Sequence, residues 1–343
     1  MARMYFGKTL MSPHTVDERE VAKTKFGVSI DNLIGDVDVD GKYTAPTEGF
    51  VLDGSGIKSI GKEGFYFSFY NNRRILEALF PDLEEIDEYG LQHAFYGTRI
   101  THISLGKVRV VNKNYALNNV ASYMKTKLAE LPISNIEELS GNSVAYAAFT
   151  SSFGGTATGL YNLRIISGAS ACGYMLGSSS SLTDIQLDSL ESIYGYAACQ
   201  NMFSYCKALE KAYFYSLTEV LTADALGTSS SNGMFSGCTA MTEIHFRKDV
   251  QVVIESLSGY PSKFGATNAT IYFDLVGTIT VDGVAYSRNE PNSIRVDGTK
   301  TFVAWADEFD NIIYTDATAE PAVDTPVYSD GGTTQVGTVS EAT

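Results

Sequence analysis

One spaced apolar ladder recurs eight times along this chain. Its clearest copy is Leu182-Thr-Asp-Ile185-Gln-Leu187-Asp-Ser-Leu190-Glu-Ser-Ile193, with apolar residues at offsets 0, +3, +5, +8 and +11 and Phe203 near +21. Units start at Gly49, Ile75, Ile100, Leu128, Gly155, Leu182, Leu209 and Met241, spaced 26, 25, 28, 27, 27, 27 and 32 residues apart. Self-similarity at a fixed period of this length specifies a solenoid, because one unit cannot bury its apolar face without a neighbour stacked on it. Residues at +3 and +5 fall on one face of a short strand, since side chains alternate with period two. The residues at 0, +8, +11 and +21 pack behind that strand, and successive strands stack about 4.8 Å apart in a parallel sheet.

The frame also marks its own weak points. Gly155 and Thr158 replace apolar rungs in the fifth unit, and the eighth unit decays to Asp249 at +8 and Val252 at +11. A decaying last unit suits a terminal repeat, which has no further copy to cover. The bulky rung near +21 recurs as Phe69, Phe95, Phe149, Leu176, Phe203 and Phe235.

The residues that carry the frame resemble the BspA-like leucine-rich repeats of bacterial and gut-phage surface proteins. The resembling segments are Ser181-Leu-Thr-Asp-Ile-Gln-Leu187, Asn201-Met-Phe-Ser-Tyr-Cys206 and Gly233-Met-Phe-Ser-Gly-Cys-Thr-Ala-Met-Thr-Glu-Ile244, within a match spanning about residues 49–265. The resemblance implies a leucine-rich-repeat solenoid and a role in adhesion or recognition. Bacterial members of the family are usually exported, whereas phage members need no signal. No apolar signal core follows the first residues, Met1 to Lys8. The expectation is therefore a virion component at the virion surface, a fibre or decoration protein. A bacterial cell-surface or secreted adhesin with its signal removed is the alternative. A trimer is expected by analogy with fibre-like assemblies alone.

Outside the repeats the chain changes character. Residues 1–48 form a segment too small for its own core and are expected to cap the first coil or to attach to other virion proteins. Within it, Val16–Lys25 has the charge mixture of a short helix, and Phe26-Gly-Val-Ser-Ile30 offers apolar anchors. Residues 266–343 read as a small antiparallel β module, Ig-like in layering. Its expected strands are Ala269–Asp274, Thr278–Val281, Ser293–Val296, Thr301–Trp305 and Asn311–Tyr314, with turns at Asp282-Gly283 and Asp297-Gly298. Trp305, the sole tryptophan, is expected to anchor its core.

Charge and chemistry exclude several functions. The chain carries a net charge of −15, and residues 266–343 hold three basic against twelve acidic side chains, a net of −9. Nucleic acid is not expected as a partner for such a surface, because phosphate contacts need clustered Lys and Arg. No apolar run reaches the roughly 20 residues of a membrane helix, so membrane insertion is not expected. The four cysteines, Cys172, Cys199, Cys206 and Cys238, have neither CxxC nor Cys/His spacing and read as small apolar core residues. His14, His93, His102 and His245 fall in no nucleophile or zinc motif, so no catalytic residue and no cofactor is expected. A carbohydrate-active enzyme on a solenoid stands as the alternative from another class, although Glu84-Glu85 and Glu137-Glu138 read as solvated turns rather than a facing pair. Asp36, Asp38 and Asp40 followed by Gly41 match the first half of a calcium loop, but Thr47 stands at the twelfth position in place of a bidentate Glu.

The better lead is the outward strand face. If +3 and +5 point inward, +2, +4 and +6 point out. At +4 the units carry Leu79, Ser104, Pro132, Gly159, Gln186, Tyr213 and His245, and at +6 Pro81, Gly106, Ser134, Tyr161, Asp188, Tyr215 and Arg247. At +2 the late units add Asp184, Lys211 and Glu243. The early units are bland and the late ones are rich in side chains favoured at binding hot spots. The expected ligand-binding residues are Tyr161, Gln186, Asp188, Tyr213, Tyr215, His245 and Arg247, facing a host-surface glycan or protein.

Overall fold

The computed structural model describes residues 4–6, 9–11 and 50–340, apart from 157–159, 188, 223, 248–249, 258, 275–276, 289–293, 298–299, 308–310, 317–320 and 330–333. The expected helix Val16–Lys25, the anchors Phe26–Ile30, the calcium-loop residues Asp36, Asp38 and Asp40, and the outward Asp188 lie outside the described residues. Of the first segment, β1 (Met4–Phe6) and β2 (Thr9–Met11) pair antiparallel as a hairpin.

The chain is almost entirely β and forms a solenoid of about eight turns followed by an antiparallel half-barrel. The coils contribute short strands to two parallel rows. The first row holds β3 (Phe50–Asp53), β5 (Ile75–Leu79) and β7 (His102–Ser104), and further along β11 (Asp184–Gln186), β13 (Lys211–Phe214), β15 (Glu243–Arg247) and β16 (Thr270–Asp274). These pair in parallel from coil to coil, with one register shift, between Phe50 and Val51 of β3. Between the two groups, among the described residues, a single parallel bridge joins Leu128 to Phe153, at the passage from the fourth unit to the weak fifth. The described residues at +3 and +5 are buried in all eight units, among them Leu52, Ala78, Ile103, Ile185, Ala212 and Ile244.

The second row was not expected. It consists of very short strands: β4 (Ser59–Ile60), β6 (Glu85–Ile86), β8 (Val110–Val111), β9 (Glu138–Leu139), β10 (Ile165–Ser167), β12 (Ser192–Tyr194) and β14 (Glu219–Val220). The pairs Glu84-Glu85 and Glu137-Glu138 are therefore not turns. Glu85 and Glu138 are strand residues whose side chains point away from the core, while the next residues, Ile86 and Leu139, occupy the buried +11 rung. Across this row, exposed ion pairs bridge neighbouring coils, including a two-pronged contact from Arg164 to Glu191 at 2.9 Å for each prong.

The third side of each coil has no strand. There the backbone alternates between two kinds of bond. Phe65, Phe67 and Phe69 donate N–H to Gly90, Gln92 and Ala94 of the next coil, while Tyr66, Ser68 and Tyr70 donate to Glu63, Phe65 and Phe67 three residues back. Every fourth residue takes a left-handed conformation, as at Glu63, Phe67 and Asn71, or Tyr115, Asn119 and Tyr123. None of these positions is Val, Ile or Thr, the residues that tolerate positive φ least. A glycine column, Gly141, Gly168 and Gly195, marks the corner where this side begins. A Cβ on Gly195 would lie 2.6 Å from the carbonyl oxygen of Gly168, and φ there is 109°.

The rungs from all three sides form one buried cluster running from Leu52 to Phe264. All four cysteines lie inside it as free thiols, and burial pushes the Cys172 and Cys199 thiols up. In the eighth coil a helix, α1 (Gln251–Ser256), replaces the second-row strand, so Val252 is not a core rung; it is 79% exposed, and Ile254 is the buried residue of that turn.

The strand expected to open the terminal module belongs to the solenoid instead. β16 pairs in parallel with β15 from Glu243↔Thr270 to Arg247↔Asp274. Its Ile271-x-Phe273 repeats the inward pattern of Ile244-x-Phe246, so pairing with β15 continues an apolar rung that an antiparallel partner would not match. The half-barrel follows: β17 (Gly277–Val281), β18 (Val284–Arg288), β19 (Ile294–Asp297), β20 (Lys300–Ala306), β21 (Ile312–Asp316), β22 (Pro326–Ser329) and β23 (Thr334–Thr338). Ig-like layering would need two facing sheets, whereas these seven strands hydrogen-bond into one curled sheet, with Ser340 bridging back to Thr280. Asp282-Gly283 forms the expected tight turn, both residues having positive φ. Trp305 is buried in the small core with Ile279, Val303 and Val327, and its Nε1–H donates to Thr315 Oγ1 at 2.7 Å.

Candidate functional site

The first strand row positions the outward residues, and its last three strands bring most of the expected set together. In register, Gln186 of β11 lies beside Tyr213 of β13, Tyr213 beside His245 of β15, and His245 beside Tyr272 of β16. Parallel strands in register place equal positions one rung apart, so their rings stack. The centroids of Tyr213 and His245 are 4.9 Å apart with planes 15° apart, and those of His245 and Tyr272 are 4.7 Å apart at 7°. Tyr215 leans on Tyr213 at 5.7 Å.

His245 is the hub, only 1% exposed although it points outward from the strand. Its Nδ1 lies 2.8 Å from Asp274 Oδ2 and its Nε2 lies 3.0 Å from Glu243 Oε2. Both nitrogens can donate at once only in the protonated ring. Asp274 is itself 3% exposed and also accepts from the Tyr215 hydroxyl at 3.3 Å. Glu243 receives Lys211 Nζ at 3.0 Å, and the Lys211 ammonium followed by the His245 contact holds its carboxyl below the usual carboxylate range. Lys211 is raised in turn by Glu243. Arg247 stands opposite Asp274 in register at the end of the row. The cluster therefore joins three rings in a stack, a cation at one side, and a buried carboxylate that ties the last two strands together.

The expected residues divide as follows. Tyr213, Tyr215, His245 and Arg247 share one patch, with Gln186 exposed at its near edge. Tyr161 sits on a turn two coils earlier, 49% exposed. Tyr272 and Asp274 were missed because the repeat frame was closed at residue 265. Carrying the 27-residue spacing one step past Met241 would have found them, since Ile271 and Phe273 fall into the +3 and +5 places.

A groove of about 670 Å³ lies elsewhere, against the second row of the early coils, lined by residues that include Glu84, Glu85, Asp87, Lys107, Arg109 and Lys113. Two of its cations are already paired, Lys107 with Asp82 at 3.1 Å and Arg109 with Glu137 at 3.3 Å. Its charges stand on exposed side chains, which are costlier to order on binding than rings held by their neighbours. Among the described residues, no three His, Cys, Asp or Glu side chains gather where they could hold a metal ion, and no helix is long and apolar enough to cross a membrane.

No protein-family model matches the sequence, and no curated protein matches it.

Proposed function

We propose that this protein is a non-enzymatic recognition protein of the BspA-like leucine-rich-repeat kind, acting as a fibre or decoration component of a bacteriophage virion. The outward face of β13, β15 and β16 is its contact surface for a glycan or protein on the host. The observation that carries this reading is the contrast along one row of the solenoid. Early coils present Leu79, Ser104 and Gly106, whereas late coils present Tyr213 and Tyr272, stacked on either side of the buried His245, with Tyr215, Lys211 and Arg247. Tyr and Arg are the side chains enriched at binding hot spots, and rings already fixed by stacking lose little freedom on binding. The repeat motifs support the family, and the family's occurrence in gut phages supports the virion setting.

The test is binding of the purified chain to host cells and to a glycan array, with Tyr213→Ala and Tyr215→Ala. The expected outcome is at least a tenfold loss of affinity for the double variant, about 1.4 kcal/mol, with the fold intact by circular dichroism. Unchanged binding would sink the surface, and mass spectrometry of purified virions that never finds the chain would sink the setting.

A further inference from the structure

The first strand row, among the described residues, ends at β16. Among the described residues β16 pairs with β15 alone. Thr270 N–H donates to Thr242 O at 2.8 Å, and backbone groups alternate sides along a strand in a parallel sheet. The amides of Ile271 and Phe273 therefore face the side away from β15. The inward rungs tell the same story. Ile185, Leu187, Ala212, Phe214, Ile244 and Phe246 are at most 1% exposed, whereas Ile271 and Phe273 are only half-buried. The ring stack also stops here, on Tyr272, which is 39% exposed. An open backbone edge, a half-covered apolar rung and an uncovered ring face are what each coil-to-coil interface would leave if the next strand were removed.

We propose that β16 is a docking edge for one added strand of a partner polypeptide. The partner is an extended segment with apolar residues at two alternate positions and an aromatic residue between them. Its backbone would bond to Ile271 and Phe273, its apolar residues would cover those two side chains, and its ring would extend the Tyr213–His245–Tyr272 stack. Addition of a strand to an open edge is an established mode of peptide recognition. The coil-to-coil interface already present along this row fixes the chemistry of the occupant. A second copy of this chain fits less well, because it would stack both its β3 and its β4, and α1 stands in the second row where a strand would have to receive β4.

The probe is a synthetic peptide covering Glu210–Thr218 of this chain, the segment that already pairs with the opposite edge of β15. Amide exchange of the full chain is followed with and without the peptide at up to ~1 mM. The amides of Ile271 and Phe273 are expected to exchange freely in the chain alone and to slow about tenfold with the probe. A scrambled peptide should leave them unchanged. Ile271→Pro, which removes an outward N–H without touching the bonds to β15, should abolish the effect. Tyr272→Ala, which leaves the backbone intact, should weaken probe binding several-fold. Tyr213→Ala should leave probe binding in place, which separates failure of this edge from failure of the outward recognition surface. Three results would overturn the proposal: protection of Ile271 and Phe273 in the free chain equal to that of Ile244, equal protection by the scrambled peptide, or a concentration-dependent dimer that Ile271→Pro abolishes.

Discussion

The strand side and the turn side of each coil stack on the same repeat and satisfy the backbone by different means. On the strand side every residue is extended, and the sheet bonds form whatever the side chains are. Sequence there is constrained only by alternation, so outward positions are free to vary from Leu79 to Tyr213. On the turn side the chain alternates bonds to the next coil with bonds three residues back, and it does so by placing every fourth residue at positive φ. Each such residue with a Cβ costs roughly 1–2 kcal/mol. The turn side therefore fixes local conformation as well as burial. One side can afford to carry recognition, and the other is committed to holding the coil closed.

The largest expected effect tests whether the two sides share one core. Phe203 on the turn side and Leu187 on the strand side are both fully buried in the same cluster, and Phe203 stacks on Phe235 at 5.7 Å. Phe203→Ala is expected to cost about 3–5 kcal/mol and Leu187→Ala about 2–5 kcal/mol. Urea denaturation followed by circular dichroism measures both. A Phe203→Ala loss below ~1 kcal/mol would mean that the turn side packs loosely and that the strands alone hold the solenoid.

A smaller effect isolates the backbone. Ala147 is buried at φ 51°, in the middle of the turn side of the fourth coil. Ala147→Val puts a branched side chain where positive φ is a true outlier, at a cost of about 2–3 kcal/mol. Ala147→Gly should reverse the sign, with about 0.5 kcal/mol gained after the larger unfolded-state entropy of glycine is subtracted. The same pair of changes at Ile185 in β11 should both destabilise, since an extended strand gains nothing from glycine. Equal signs at Ala147 and Ile185 would erase the distinction between the sides.

This difference also explains what the sequence made legible. Period two is visible in Ile185-x-Leu187 and Phe214 after Ala212, so the first row, its inward rungs and the patch at Tyr213, Tyr215, His245 and Arg247 could be placed from spacing alone. The second row could not. Glu85-Ile86 and Glu138-Leu139 are two residues long, too short for alternation to show, and their acids read as turns. The left-handed positions on this side carry Glu, Phe, Tyr, His, Ser, Ala and Asn, and only His and Asn among these hint at positive φ by their identity. α1 was hidden because Val252 falls in the +11 place by count, although the chain there coils into a helix. Tyr272 and Asp274 were lost for a different reason. Their strand looks like any strand of the terminal module, and only its inward Ile271 and Phe273 assign it to the solenoid.

The smallest effect concerns a histidine on each side, surrounded by different company. His245 on the strand side has a carboxylate at each ring nitrogen, 2.8 and 3.0 Å away. His93 on the turn side stacks on Phe67 at 4.4 Å, with Tyr70 and Tyr96 beside it, and its Nδ1 has no hydrogen-bond partner among the described residues. Burial alone lowers the His93 pKa from its ordinary value of 6.5. A base with a depressed folded-state pKa adds stability above its unfolded value and loses it as pH falls through the folded one. The protein should therefore lose stability from this residue as the pH falls below 6.5. His93→Phe keeps the stacked ring and the positive φ already borne by Phe67, and it removes both the unpaired nitrogen and the titration. The variant is expected to match or slightly exceed the parent at pH 8 and to show a flatter fall in melting temperature between pH 6.5 and 5. An unchanged slope would mean that the turn side titrates silently and that the lowered carboxyl of Glu243, on the strand side, is the next group to test.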